Sequence, residues 1–323
     1  MNKFTGPIFI VGMPRSGTKL LRSLLNNHSN LAFPPSETHV LPHWADNWEE
    51  YGNLMDFNKF QIFYNQAEKN SFFSYMRERY SKHISANDWY KACEGGSVAE
   101  VFEALVRLGS NCSQGMIWGE KSPSYIKHIP LLKKLYPNAK VIHIVRDVRD
   151  YCLSINHAWG KNMIRAAQRW QDDTFSASSE IKILGNSGYE IRFEDLLSAP
   201  LATVNGICDF LEINFEKSML ELDKPTENIG KAREETRIVT ENKEKWRTKM
   251  SPKLINEIES ICITQINSYK YPTEYTGKQR RISKFKANYY IILDGFNMVI
   301  ADSDNRGLFR NLIFHLRANK IKV

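Results

Sequence analysis

The sequence predicts an α/β fold, a parallel sheet flanked by helices, on three observations. Residues 8–11 form a short β-branched and aromatic run, followed at once by a glycine-containing turn and by Leu20, Leu21, Leu24 and Leu25 at helical spacing. Residues 139–145 and 189–193 are two further apolar strand runs, each with a helical pattern behind it. Strands that alternate with helices pair in parallel, because a parallel return needs a crossover and the crossover is usually a helix.

Each element then has its own signal. Residues 44–102 read as mostly helical and hold 14 of the chain's 38 Phe, Tyr and Trp residues. They are expected to form the greater part of a helical, aromatic-rich insert over 44–116, most of whose rings pack in a core. Ser122-Pro123 caps a helical stretch that ends before Pro137, since proline breaks the backbone ladder. Helical patterns run on to about Trp159 and from about Asn162 to Leu184, and Pro200–Leu211 follows the third strand. Residues 289–293 and 296–300 are apolar runs joined by Asp294-Gly295, a pair favoured in tight hairpins. Leu308, Leu312, Ile313 and Leu316 then share one helix face. The expectation is a main domain over 1–275 and a small ββα appendage over 276–323. The appendage packs on the main domain or, in a sharper alternative, makes peripheral membrane contact through a basic amphipathic helix.

Composition narrows the function classes. The chain has 323 residues, 42% hydrophobic and 25% charged, the balance of an ordinary globular protein. Five scattered cysteines with no CxxC pair argue for reduced thiols rather than a disulfide framework or a zinc site. No long apolar span and no leader pattern is evident, so a cytoplasmic location is expected. The net charge is +8, yet residues 276–323 hold 10 basic and 3 acidic residues, leaving the remainder at 34 against 33. A body this neutral is not built to bind nucleic acid over its whole surface, and no specific nucleic-acid partner is expected.

The first chemical motif is Gly12-Met13-Pro14-Arg15-Ser16-Gly17-Thr18-Lys19, between a strand and a helix. In that context backbone N–H groups and a helix N-terminus bind an anion, so the fold expected is of the P-loop NTPase type. An ATPase loop needs Lys directly after the second glycine and then Ser or Thr for magnesium. Here Thr18 precedes Lys19, and Arg15 lies inside the loop. The second motif runs from Val141 through Arg146, Asp147 and Arg149 to Ser154. It puts Arg146 at a strand's carboxyl end, where open α/β sheets place ligands.

Together these segments resemble sulfotransferases that use 3′-phosphoadenosine 5′-phosphosulfate (PAPS), above all the bacterial carbohydrate and protein-tyrosine branch. Pro14 to Thr18 with Leu20-Leu21-Arg22 is similar to the family's 5′-phosphosulfate loop, and Arg146 through Ser154 to its 3′-phosphate motif. Supporting matches are Gly119-Glu120-Lys121-Ser122-Pro123, Arg192-Phe193-Glu194-Asp195-Leu196-Leu197, and Lys245-Trp246-Arg247 ahead of Ser251-Pro252. The resemblance implies that Arg15, Ser16, Gly17, Thr18, Lys19 and Leu20 hold the 5′ end. Arg146 and Ser154 would hold the 3′-phosphate, with Phe193, Lys245 and Trp246 near the nucleotide. Phe193 stands where many members have Tyr. Glu37 matches the family's catalytic carboxylate, and Lys121 a lysine that neutralises the leaving oxygen.

Those residue types suit sulfuryl transfer, which needs a base for the acceptor proton and cations for the charge growing on the bridging oxygen. Glu37 and the nearby His39 are the two candidate bases, Arg15 and Lys121 the cations, and no metal is expected. The acceptor, a small molecule or glycan presenting a hydroxyl, is assigned to the aromatic-rich insert. His28 is expected to pack or cap the end of the first helix. Two alternatives stand beside this reading. One is a P-loop kinase or NTPase, with Asp147 pressed into service for magnesium. The other is a non-catalytic protein that binds anionic surfaces through its basic tail.

Overall fold

In the computed structural model, which describes residues 4–226 and 233–301, the first apolar run becomes strand β1 (Ile8–Gly12), buried throughout. Ile8 and Ile10 join the core cluster that holds Leu20, Leu21, Leu24 and Leu25. Phe9 instead meets the rings of Trp118 and Tyr136, with centroids 5.9 and 5.6 Å away. A strand covered on both faces reads as a continuous apolar run rather than an alternation.

Helix α1 (Thr18–Asn26) and strand β2 (Leu31–Ala32) follow. The aromatic stretch folds into α2 (Leu41–Asn47), α3 (Phe57–Ala67), α4 (Ser71–Tyr80), α5 (Ala86–Ala92) and α6 (Val98–Ser110). Its rings make a core of their own: Trp89 is fully buried, 5.4 Å from Phe60 and 5.5 Å from Phe63, and donates its indole N–H to the Val101 carbonyl. Next come β3 (Ile117–Lys121), α7 (Ile129–Leu135), β4 (Lys140–Val145), α8 (Val148–Trp159) and α9 (Met163–Leu184). The described chain closes with β5 (Gly188–Arg192), α10 (Phe193–Ser198), α11 (Pro200–Leu211), α12 (Trp246–Lys249), α13 (Pro252–Ser268) and α14 (Lys284–Ala301).

The sheet order is β2-β3-β1-β4-β5, and every pairing is parallel. Ile10 lies beside Lys121 on one side and Ile142 on the other. The carboxyl ends of β1, β2 and β3 therefore open on one edge of the sheet, the edge where such sheets bind ligands.

The chain divides into two compact units. One comprises the chain up to Val145 with Ser176–Thr240, and contains the whole sheet; the other comprises Arg146–Phe175 with the chain from Glu241 onward. In the second unit Arg149, with no exposed surface, donates to Asp147, Glu259 and the Pro272 carbonyl at 2.5, 2.6 and 2.8 Å. No helix among the described residues is long and apolar enough to cross a membrane.

The expected C-terminal hairpin is not formed. Both of its runs lie in the single helix α14. A tight primed turn requires positive φ at its central residues, and neither Asp294 nor Gly295 has it. Asp294 is an anchor instead: it is buried and accepts the Asn162 N–H and the Arg165 guanidinium, each at 2.6 Å. The helix expected through Leu308–Leu316 lies outside the described residues. His28 behaves as the sequence suggests. Its Nε2 lies 2.9 Å from the Asn214 carbonyl, and its Nδ1 accepts the Asn30 N–H.

Candidate active site

The loop between β1 and α1 is shaped by glycine at both ends. A Cβ on Gly12 would stand 2.5 Å from the Ile144 carbonyl oxygen, inside any tolerable contact. Gly17 has φ 92, and a Cβ there would meet the Phe193 ring at 2.2 Å. The ring of Phe193, itself buried, thus underlies the loop. Arg15 also adopts positive φ (69), a strained conformation for a side-chain-bearing residue and one that clusters at functional sites.

The cradle has unfilled hydrogen-bonding capacity. Gly17 is the N-cap of α1, and no side chain caps that end among the described residues, so first-turn amides are left for a ligand. Ser16 is fully buried, and its hydroxyl has no partner among the described residues. Leaving such a group unmet costs about 1–3 kcal/mol, which a phosphate or sulfate oxygen would return. Thr18 is buried beside it, Arg15 and Lys19 are half-buried, and the Leu20 side chain belongs to the core beneath. The residues present fit a phosphosulfate.

Beyond β2, at the end of β3, a lysine, a glutamate and a histidine meet. Lys121, the last residue of β3 and almost wholly buried, donates to Glu37 Oε1. His39 Nε2 stands 2.8 Å from Glu37 Oε2, and its Nδ1 lies 2.9 Å from Ser124 Oγ. The two candidate bases therefore share one constellation. Burial works against the Glu37 anion, but the His39 hydrogen bond and the Lys121 charge more than offset it, taking its pKa down to about 2. Burial also lowers Lys121, to about 8, with Glu37 pulling it up and Arg22 pushing it down.

The segment carrying Glu37 is held by residues to which the sequence reading gave no role. Glu120 is fully buried in β3, and its Oε1 accepts the Thr38 N–H, the Thr38 hydroxyl and the Ser122 hydroxyl at 3.1, 3.0 and 2.6 Å. Burial raises the Glu120 carboxyl above its usual range despite these bonds. The Tyr125 hydroxyl joins Thr38 at 2.8 Å and accepts the Leu41 N–H. Arg22 donates to the Pro35 carbonyl at 2.6 Å, two residues before Glu37. A signal for Glu120 was present: a carboxylate inside the strand sequence Ile-Trp-Gly-Glu-Lys breaks the apolar pattern, and such violations gather at functional sites.

From Arg146 onward, the second motif lies in the other unit. Arg146 is buried, sends Nη2 to the Asn242 carbonyl at 3.3 Å, and accepts the Trp170 indole N–H on its own carbonyl. Asp147 caps α8 by accepting the Arg149 N–H at 2.9 Å, and it pairs with the Arg149 guanidinium. Ser154 is half-buried on α8. Lys245 donates to Asn242 Oδ1. Trp246 is buried, donates its backbone N–H to Asp150 at 3.0 Å, and has the guanidiniums of Arg149 and Arg247 over its ring at 3.7 and 4.5 Å. Among the described residues no cluster of three or more His, Cys, Asp or Glu is placed to hold a metal ion.

A family model described as "Sulfotransferase family" matches residues 7–217, which contain the loop, Glu37, Lys121, Arg146 and Ser154. The chain belongs to the sulfotransferase family. Among curated relatives, an uncharacterized protein of Aquifex aeolicus is 24% identical over 254 residues, covering 75% of this chain and 30% of that protein. Protein-tyrosine sulfotransferase A of Caenorhabditis elegans is 24% identical over 236 residues, covering 68% of this chain and 53% of that enzyme. This family member thus spans no more than about half the length of those two relatives. Solved structures share its fold. The sulfotransferase domain of the Synechococcus PCC 7002 olefin synthase superposes with a TM-score of 0.53 at 24% identity, covering 84% of this chain and 97% of that one. The sulfotransferase domain from the curacin biosynthetic pathway gives 0.55 at 24% identity, covering 84% and 100%.

Proposed function

We propose that the chain transfers a sulfuryl group from PAPS to a hydroxyl of an acceptor, a saccharide or other glycan-like molecule. The observation that carries the reading is the meeting of Lys121, Glu37 and His39 at the carboxyl edge of a sheet whose central strand feeds the Gly12–Lys19 loop. PAPS supplies an activated sulfuryl group on a phosphate oxygen. The buried Ser16 hydroxyl, the uncapped first turn of α1 and the cations Arg15 and Lys19 are assigned its 5′ end. Arg146 and Ser154 are assigned the 3′-phosphate, and Lys245 and Trp246 help to hold the nucleotide.

Glu37 takes the acceptor proton. A carboxylate with a pKa of about 2 is a weak base, but in a loose transfer the hydroxyl becomes acidic as the new bond forms, so a positioned weak base suffices. His39 holds the Glu37 carboxylate in place and is itself fixed by Ser124. Lys121 and Arg15 balance the negative charge left on the phosphate oxygen, each such contact being worth about 3–4 kcal/mol of barrier. The aromatic-rich insert provides the acceptor side.

Calorimetric titration with adenosine 3′,5′-bisphosphate in the absence of magnesium, with ATP as comparison, tests the donor. The expected result is micromolar or tighter binding that collapses in Arg146→Ala, with little affinity for ATP. A clear preference for Mg-ATP would overturn the reading.

A further inference from the structure

Beside α1 runs a cleft of about 320 Å³, lined by residues of α1, α4, the end of α6 and residues 222–224. Three cations reach it, Arg22, Lys82 and Lys224, against a single lining carboxylate, Asp223. Their hydrogen bonds go to neutral groups. Arg22 donates to the Pro34 and Pro35 carbonyls, Lys82 to the Leu108 carbonyl and the Asn111 side-chain oxygen, and Lys224 to the Tyr80 hydroxyl at 3.2 Å. Among the described residues none of the three is paired with a carboxylate. Burial holds the Lys82 ammonium below the usual lysine range, so an incoming negative charge gains more there than at an open surface.

The rest of the lining describes the ligand. Phe33, Met76, Tyr80 and Leu222 add apolar surface to the lining, which a bare inorganic ion has no use for. Asn26 and Asn111 add amide groups. The cleft also communicates with the Glu37 site through Arg22, whose guanidinium holds the Pro35 carbonyl and whose charge is felt at both Glu37 and Lys121.

We infer that this cleft binds the anionic group of an organic acceptor, a carboxylate, sulfate or phosphate ester carried on an apolar or ring-bearing body. The acceptor hydroxyl then lies toward Glu37. The inference rests on the sulfuryl-transfer reading for the word acceptor, and on the cleft alone for the word anionic.

The test uses a matched pair of hydroxyl compounds, 4-hydroxyphenylacetate and its uncharged amide, titrated into the full chain by ligand-observed NMR. The wild-type protein is expected to prefer the carboxylate on the order of 10-fold, about the size of one charge-assisted hydrogen bond. The preference should vanish in the Lys82→Gln, Lys224→Gln double variant, while affinity for adenosine 3′,5′-bisphosphate stays unchanged. Equal binding of the two compounds, absence of binding by either, or a preference that survives both substitutions would overturn the inference. Loss of bisphosphate affinity together with the preference would also overturn it, by making the cleft part of the nucleotide site. A wild-type protein that prefers the carboxylate but does not bind the bisphosphate keeps the anion site and removes the sulfuryl-transfer reading.

Discussion

Glu37 has a cation on one oxygen and an imidazole on the other, and both partners depend on it. Glu37 is what raises Lys121 against burial, so Glu37→Gln removes the proton acceptor and lowers Lys121 further. That variant is expected to retain bisphosphate affinity and lose turnover, whereas His39→Ala loses much less; equal losses would reverse the assignment. Lys121→Met should lower kcat by about 100- to 1,000-fold with nucleotide affinity intact, as measured by single-turnover sulfation. Lys121 also sets an alkaline limb. With its pKa at about 8 in the free protein, kcat/KM should fall as pH rises through that value, because the ammonium form is the active one. The stability effects have defined signs. Glu37, depressed from 4.5 to about 2, contributes stability above the higher value that is lost as pH falls toward the lower. Lys121, depressed from 10.5 to about 8, favours unfolding while charged, and its contribution to stability rises with pH across that window. Urea midpoints measured across both windows check the two slopes.

The loop between β1 and α1 depends on backbone conformation as much as on side chains. Gly17→Ala forces a Cβ onto the Phe193 ring while φ is positive, and it should lower both melting temperature and bisphosphate affinity. Phe193→Leu in the same background tests the clash by making room. Most of this element was legible in the sequence, because an apolar strand, a glycine-bounded turn and a leucine-faced helix each carry a local signal. What was not legible depended on tertiary partners. β2 has two residues and no periodicity to read. β3 hides a buried Glu and Lys where a strand pattern would be apolar. Asp294-Gly295 carried a hairpin signal that lost to the Arg165 and Asn162 contacts of Asp294. At the site, the family resemblance pointed to Glu37 and Lys121, and His39 stood beside them as a rival base, while the contacts that join the three appeared only once β2 and β3 lay side by side.

At the scale of the whole molecule, the described residues beyond 275 are woven into the second unit. Arg281 pairs with Asp172, Lys286 with Glu257 and Asp294 with Arg165. Truncation after Tyr275 is therefore expected to destabilise the protein as well as remove seven net positive charges, and differential scanning calorimetry reads the loss directly. Weakening the buried Arg149 network by Glu259→Gln should cost about 1–3 kcal/mol, since it removes one of two counter-charges and leaves the Asp147 pair in place. Ser16 leads to a different kind of expectation. Its hydroxyl is sequestered from water and unsatisfied by protein, so the free chain holds in reserve free energy that an oxyanion can release. Ser16→Ala should melt no lower than the parent without ligand, and it should gain less from sulfate or bisphosphate than the parent does. Ligand-induced stabilisation follows affinity, so a pair of melting curves weighs how far evolution has traded the resilience of the empty fold for its grip on a passing anion.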